Sequence, residues 1–213
     1  MKYIVKSEED WHALRGQYIT ASNAAILVGA DPYSSAAKIK HPEPFNGNAY
    51  TFVGQMLESV VVNIVNKVLG TAFELYENAK GHKEFYTEGH LGATPDAHMN
   101  RKVLLECKTT QPKHFIKYAV VPPSKYLVQL IVQMMCTHTK EGYLAILSTD
   151  LTQKSANIIW PIAIFRIMLT SPTIPDILKI EADRFKKFKT FRVSSSVKQK
   201  VKILLSMCYE KVN

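Results

Sequence analysis

The run VLLECKTT, residues 103–110, constrains this chain more than any other. It reads as a buried strand carrying two charges. Side chains alternate along a strand, so Glu106 and Lys108 share one face while Cys107 points the other way, towards apolar packing. Burying charge is costly unless the charge is paired or bound to a metal. Any fold must therefore supply partners for both. Asp96 lies ten residues before Glu106, directly behind Pro95, in the extended run LGATPDAHM. A turn around Asn100 and Arg101 makes the two runs a hairpin and sets Asp96 beside Glu106.

Two carboxylates converging at a sheet edge make a hard-oxygen site suited to Mg²⁺ or Mn²⁺. Cys107 can add its backbone carbonyl without using its thiol. A metal held there polarises a phosphodiester, lowers the pKa of a bound water and stabilises the leaving alkoxide. Lys108 has two jobs open to it. It orients or deprotonates the attacking water, or it offsets charge in the transition state. Phosphodiester hydrolysis needs on the order of 20 kcal/mol removed from its barrier. Metal, lysine and positioning are a reasonable source for that.

At 213 residues and 46% hydrophobic, the chain reads as one domain with a sizeable core. The core is expected over about 11–165, with a basic helical extension over 171–213. The three cysteines, Cys107, Cys136 and Cys208, lie far apart, which argues against a disulfide framework or a zinc knuckle and for a reducing compartment. Neither a signal peptide nor a membrane span is expected, so the protein is expected to be soluble and cytoplasmic. Net charge is +9, and Asp176 to Asn213 holds ten Lys/Arg against four Asp/Glu. A stretch such as RFKKFKTFR points to a polyanion, most often nucleic acid. A solvated Lys-rich helix face is the plain alternative.

Helices are expected over SEEDWHALR with Ser7 as N-cap, over ITASNAAILVG with Thr20 or Ser22 near its start, and over GQMLESVVVNIVNKVLG closing at Gly70. YLVQLIVQMMCTHT, PDILKIEADRFKKFK and SSVKQKVKILLSMCYEK also read as helices. AFELYEN, KEFYT, GYLAILST and ANIIWPIAI read as strands. This order implies an α/β fold, a central mixed β-sheet flanked by helices.

Four blocks in this order resemble the PD-(D/E)xK nucleases, and among them the lambda-exonuclease or YqaJ-like viral recombinase group. They are WHALRGQYITAS with Arg15 and Ser22, GQMLE with Glu58, the pair TPD and ECK, and YLVQ with Gln129. The resemblance spans about residues 11–150 and implies a restriction-endonuclease-like core. It implies that Asp96, Glu106 and the Cys107 carbonyl hold Mg²⁺, two ions per site with Mn²⁺ as a substitute, and that Glu58 supports the second ion. Lys108 would be the catalytic lysine. Arg15, Ser22 and Thr94 would form a pocket for a terminal 5′-phosphate, with Gln129 supporting the site. An Arg with hydroxyls near a helix start is a sensible phosphate cradle. In the family a trimeric ring encircles duplex DNA and degrades the 5′-ended strand, and a single-strand annealing protein is the expected partner.

This sequence departs from the family in a short stretch between Tyr33 and Gly54, in AHMN after Asp96, and in a C-terminal third that matches nothing. Plainer roles stand beside the functional ones. Glu58 reads also as a surface residue, Arg15 as a partner of Glu9 or Asp10, and Gln129 as a polar core residue. Tyr33 and Phe45 read as core or as base-stacking groups, and His98 and His114 carry no assigned role. Three functions remain: a Mg²⁺-dependent DNA exonuclease of phage recombination type, an endonuclease or nickase on the same fold, and a non-catalytic DNA-binding module.

Overall fold

A computed structural model describes residues 1–31, 39, 49–77, 84–149, 161–188 and 190–213. Tyr33, Phe45 and the ANIIW end of one expected strand lie outside them. The elements run β1 (Lys2–Ile4), α1 (Glu8–Gln17), β2 (Ile19–Thr20), a 3-10 segment (Ala21–Val28), α2 (Ala49–Leu69), β3 (Glu74–Leu75), β4 (Glu84–Glu88) and β5 (Leu91–Ala93). They continue with β6 (Ala97–Met99), β7 (Val103–Thr110), α3 (Pro112–Tyr118), α4 (Ser124–Thr137), β8 (Glu141–Ser148), β9 (Ile162–Met168), α5 (Thr173–Lys187), α6 (Ser195–Met207) and β10 (Tyr209–Lys211).

The strands form two mixed sheets flanked by helices. The larger has the order β10-β9-β8-β7-β6-β3, and only its central pair β7/β8 is parallel. The smaller has the order β1-β4-β5-β2, with β2 parallel to β5. Strand β7 sits deep in the larger sheet and is covered on both faces. Cys107 and Leu105 pack with Val61, Val62 and Val65 of α2. Leu104, on the opposite face, packs with Leu127, Val128 and Ile131 of α4. The expected alternation is therefore real, and it turns Glu106 towards α4.

Local signals act as expected at several ends. Ser7 Oγ accepts from the Asp10 N–H at 3.1 Å and starts α1. Gly70, at φ 64°, ends α2 in the left-handed region that a side chain disfavours. Asn100 and Arg101 take positive φ and turn the β6–β7 hairpin. The segment expected as a second helix is a 3-10 stretch, in which the Thr20 hydroxyl meets Ser22 Oγ at 3.1 Å and does not cap. By length and composition the Phe52–Leu69 part of α2 is apolar enough to cross a membrane. Here it lies along the sheet, with Val61 and Val65 fully buried.

An ion-pair cluster ties the two sheets together. Glu84 of β4, 1% exposed, meets Lys2 Nζ and Arg101 Nη1 at 2.6 Å each and accepts from the Tyr86 hydroxyl at 2.5 Å. Burial alone would raise this carboxyl, but hydrogen bonds from Arg101, Lys2 and Tyr86 outweigh it and hold its pKa down at about 2. Lys2 and Tyr86 belong to the smaller sheet, whereas Arg101 turns the hairpin of the larger one.

Candidate active site

The hairpin register fixes the centre of the site. Ala97 pairs Leu105 and Met99 pairs Val103. Continued past Ala97, the same register sets Asp96 opposite Glu106 and Pro95 opposite Cys107. Proline has no N–H, so it offers no ladder donor to the Cys107 carbonyl. The Cys107 N–H is instead taken by Asp96 Oδ2 at 2.8 Å. The TPD sequence thus ends the ladder with a side chain in place of a backbone group.

Glu106 is fully buried and fully partnered. Its Oε1 accepts from Gln129 Nε2 at 2.6 Å and meets Lys108 Nζ at 2.5 Å, while its Oε2 accepts from Gln133 Nε2 at 2.5 Å. Gln129 and Gln133 lie one turn apart on α4 and so reach the same carboxylate. Lys108 is also 5.4 Å from the ring centre of Tyr126, a turn earlier on α4. The charges that a buried strand could not carry alone are therefore met by the helix packed on that face.

Electrostatics show crowding of negative charge. Burial, then Glu106 and Glu58, push the Asp96 carboxyl well above its usual range; Lys108 and the Cys107 N–H oppose them. Burial would lower the Lys108 ammonium, but Glu106 and Asp96 outweigh it and keep it protonated well above neutral pH. Burial, then Asp96 and Glu106, push the Cys107 thiol up and leave it unreactive. Asp96 thus stands among two further acids and one lysine.

These donors suit a hard cation in kind: carboxylate oxygens and a carbonyl without a ladder donor. Among the described residues, no three carboxylate, imidazole or thiol side chains stand close enough to hold an ion by themselves. A metal set here would rest on two acids and the backbone, with Glu58 acting on Asp96 through charge.

A second group lies beside it. The Arg15 guanidinium sits 4.2 Å over the Trp11 ring, and the Trp11 indole N–H donates to Thr94 Oγ1 at 3.0 Å. Arg15 and Thr94 are thus joined through Trp11, two residues before Asp96. Arg15 pairs with neither Glu9 nor Asp10, and burial lowers its pKa. A half-buried guanidinium without a carboxylate among the described residues is suited to an anion. Ser22 is exposed and contacts Thr20; among the described residues no hydrogen bond joins it to Arg15 or Thr94.

Sequence reasoning did not single out Gln133, and it quoted Trp11 and Tyr126 within the WHALR and YLVQ blocks without giving them a role. Each lies one helical turn from a residue that was given one. His98 is a core histidine under Tyr76, 3.4 Å from Glu74, with its pKa lowered by burial.

Residues 10–140 match the YqaJ-like viral recombinase domain. Similar solved structures include an alkaline exonuclease, LHK-Exo, from Laribacter hongkongensis. Its TM-score is 0.60 at 18% identity, over 93% of this chain and 97% of that one. The same enzyme in complex with dAMP gives 0.59 at 18% identity, over 93% and 97%. A phage related exonuclease from Haemophilus somnus 129PT gives 0.58 at 15% identity, over 91% and 99%. At these identities the likeness is one of fold. No curated protein matches in sequence. Because the domain match spans more than half of its length, this chain belongs to the YqaJ-like viral recombinase domain family.

Proposed function

We propose that this protein is a metal-dependent nuclease that hydrolyses phosphodiester bonds in DNA, acting from duplex ends in the 5′ to 3′ direction during recombination or DNA processing. The observation that carries this reading is the convergence of Asp96, Glu106 and Lys108 at the end of one hairpin, with Glu106 held by two glutamines. The family and the solved exonucleases of the same fold support it.

A Mg²⁺ ion on Asp96, Glu106 and the Cys107 carbonyl would supply a water of lowered pKa and a Lewis acid for the scissile phosphate. The residues of the chain do the rest. Gln129 and Gln133 hold the Glu106 carboxylate in one orientation. Lys108 is an ammonium in this arrangement, which favours charge stabilisation over general base chemistry. Arg15 and Thr94 form an anion pocket beside the reacting centre, suited to a terminal 5′-phosphate. Duplex DNA, a single-strand annealing partner, a homo-oligomeric ring and a cytoplasmic setting belong to the same reading.

The test is digestion of linear duplexes with defined 5′-phosphate, 5′-hydroxyl and 3′ ends, beside a covalently closed circle, in Mg²⁺ and in EDTA. Mg²⁺-dependent loss of the 5′-ended strand is expected. Cleavage of the closed circle would place an endonuclease on this fold, and no cleavage of any substrate would end the nuclease reading.

A further inference from the structure

A row of aromatic rings leads from Lys108 to the surface, and the nuclease chemistry does not use it. Tyr126 receives the Lys108 ammonium on one side and meets Tyr118 edge-on at 6.4 Å. Tyr118 is stacked with His114 at 5.9 Å, the ring planes within 16° of parallel. His114 is exposed at the outer end. Both His114 and Tyr118 belong to α3, a helix with no buried residue. Ile116 within it and Val120 just after it are 76% and 71% exposed.

The charge along this segment has one sign. Between Glu106 and Glu141 the sequence holds no Asp or Glu, while Lys113, Lys117 and Lys125 interleave with the rings. Lys125 Nζ also lies 5.2 Å from the Tyr126 ring centre. Asp31 adds negative charge near Tyr126 at the inner end. A ring pair four residues apart on a helix is by itself an ordinary stabilising contact. A run of rings, half-buried at Tyr126 and Tyr118 and exposed at His114, that leads from the proposed catalytic lysine and is flanked by lysines has the make-up of a single-strand platform. Every base offers a π-face to such rings, and the lysines follow the backbone. Bases within a duplex are already stacked on each other and cannot use it.

We propose that His114, Tyr118 and Tyr126 form a stacking platform for unpaired nucleotides, holding the strand that leads to or from Lys108. The identity of that strand rests on the nuclease reading; the binding itself does not.

The test uses the full chain in EDTA, where cleavage is off, and fluorescence anisotropy with two probes. One is a short fluorescein-labelled oligothymidylate, the other an abasic phosphodiester of the same length and charge. Wild-type protein is expected to bind the oligothymidylate about tenfold more tightly, as stacking on aromatic side chains implies. His114→Ala and Tyr118→Leu should each narrow that gap, whereas Lys117→Gln should weaken both probes alike. Equal binding of the two probes by wild-type protein overturns the proposal, as does an unchanged gap in His114→Ala. Since the His114 ring is exposed, that variant decides the matter even if Tyr118→Leu fails to fold. Digestion of linear duplex in Mg²⁺, run in parallel, reports on the nuclease reading alone.

Discussion

Gln133 donates from Nε2 to Glu106 Oε2 at 2.5 Å, inside the core and out of reach of solvent. This bond holds the oxygen that neither Gln129 nor Lys108 contacts. Gln133→Leu removes the donor and leaves a buried carboxylate oxygen unsatisfied, at a cost of about 1–3 kcal/mol. A urea titration should show the lower midpoint, and cleavage should fall with it. A midpoint equal to wild type would mean that Oε2 finds another donor.

Asp96→Asn is expected to separate stability from activity. Burial and the neighbouring carboxylates favour the neutral Asp96 carboxyl, so its folded pKa lies above the unfolded value. The sign follows from linkage: ionising it at neutral pH works against the fold, increasingly as pH rises above the unfolded value. Asparagine removes that charge and keeps an oxygen to accept the Cys107 N–H. In EDTA the variant should melt at a higher temperature than wild type while losing cleavage.

Lys108→Ala should reduce cleavage at least about 100-fold, the loss typical of a removed transition-state donor. Mn²⁺ binding, followed by calorimetry, should be largely retained, because the lysine supplies no oxygen ligand. Full cleavage by the variant would remove Lys108 from the mechanism.

Arg15→Ala should weaken discrimination between 5′-phosphorylated and 5′-hydroxyl ends, by about tenfold for one charge-assisted contact. Trp11→Phe keeps a ring under the guanidinium but loses the bond to Thr94, and it should show a smaller effect in the same direction. Identical end preference in wild type and Arg15→Ala would discard the pocket.

Acid should loosen the joint between the sheets. Glu84 titrates at about 2 in the fold, below the ordinary carboxylate value near 4.3. Its contribution is complete above that ordinary value and is lost as pH falls towards 2. Urea midpoints measured from neutral pH downwards should therefore drop more steeply in wild type than in Glu84→Gln. Added salt should flatten the difference, since Lys2 and Arg101 are partly exposed.

The centre of the site was readable because strand period 2 separates Glu106 and Lys108 from Cys107, and because the Asn100–Arg101 turn fixes the return of the chain. Gln133 was not, since it lies in the apolar helical run LIVQMM; only its spacing from Gln129 hints at a shared face. The smaller sheet was hidden for another reason. Its strands β1 and β2 hold three and two residues, too few to show any alternation. Likewise the end of SSVKQKVKILLSMCYEK leaves the helix to pair with β9 as β10, an outcome set by the neighbouring strand rather than by local preference. In Ala21–Val28 the run Ala24–Val28 is buried without a break, so its hydrophobic period does not tell a 3-10 stretch from an α-helix.

Strand β8 lies parallel to β7, and a parallel neighbour cannot be reached by a tight turn. The chain has to climb over the sheet, and α3 and α4 are that passage. The glutamines that grip Glu106 and the rings beyond Lys108 therefore ride on a connection that the topology demands in any case. Extra residues inserted between Tyr118 and Ser124 would lengthen a surface bend and spare the grip. Residues removed from α4 would rotate Gln129 and Gln133 off the carboxylate together.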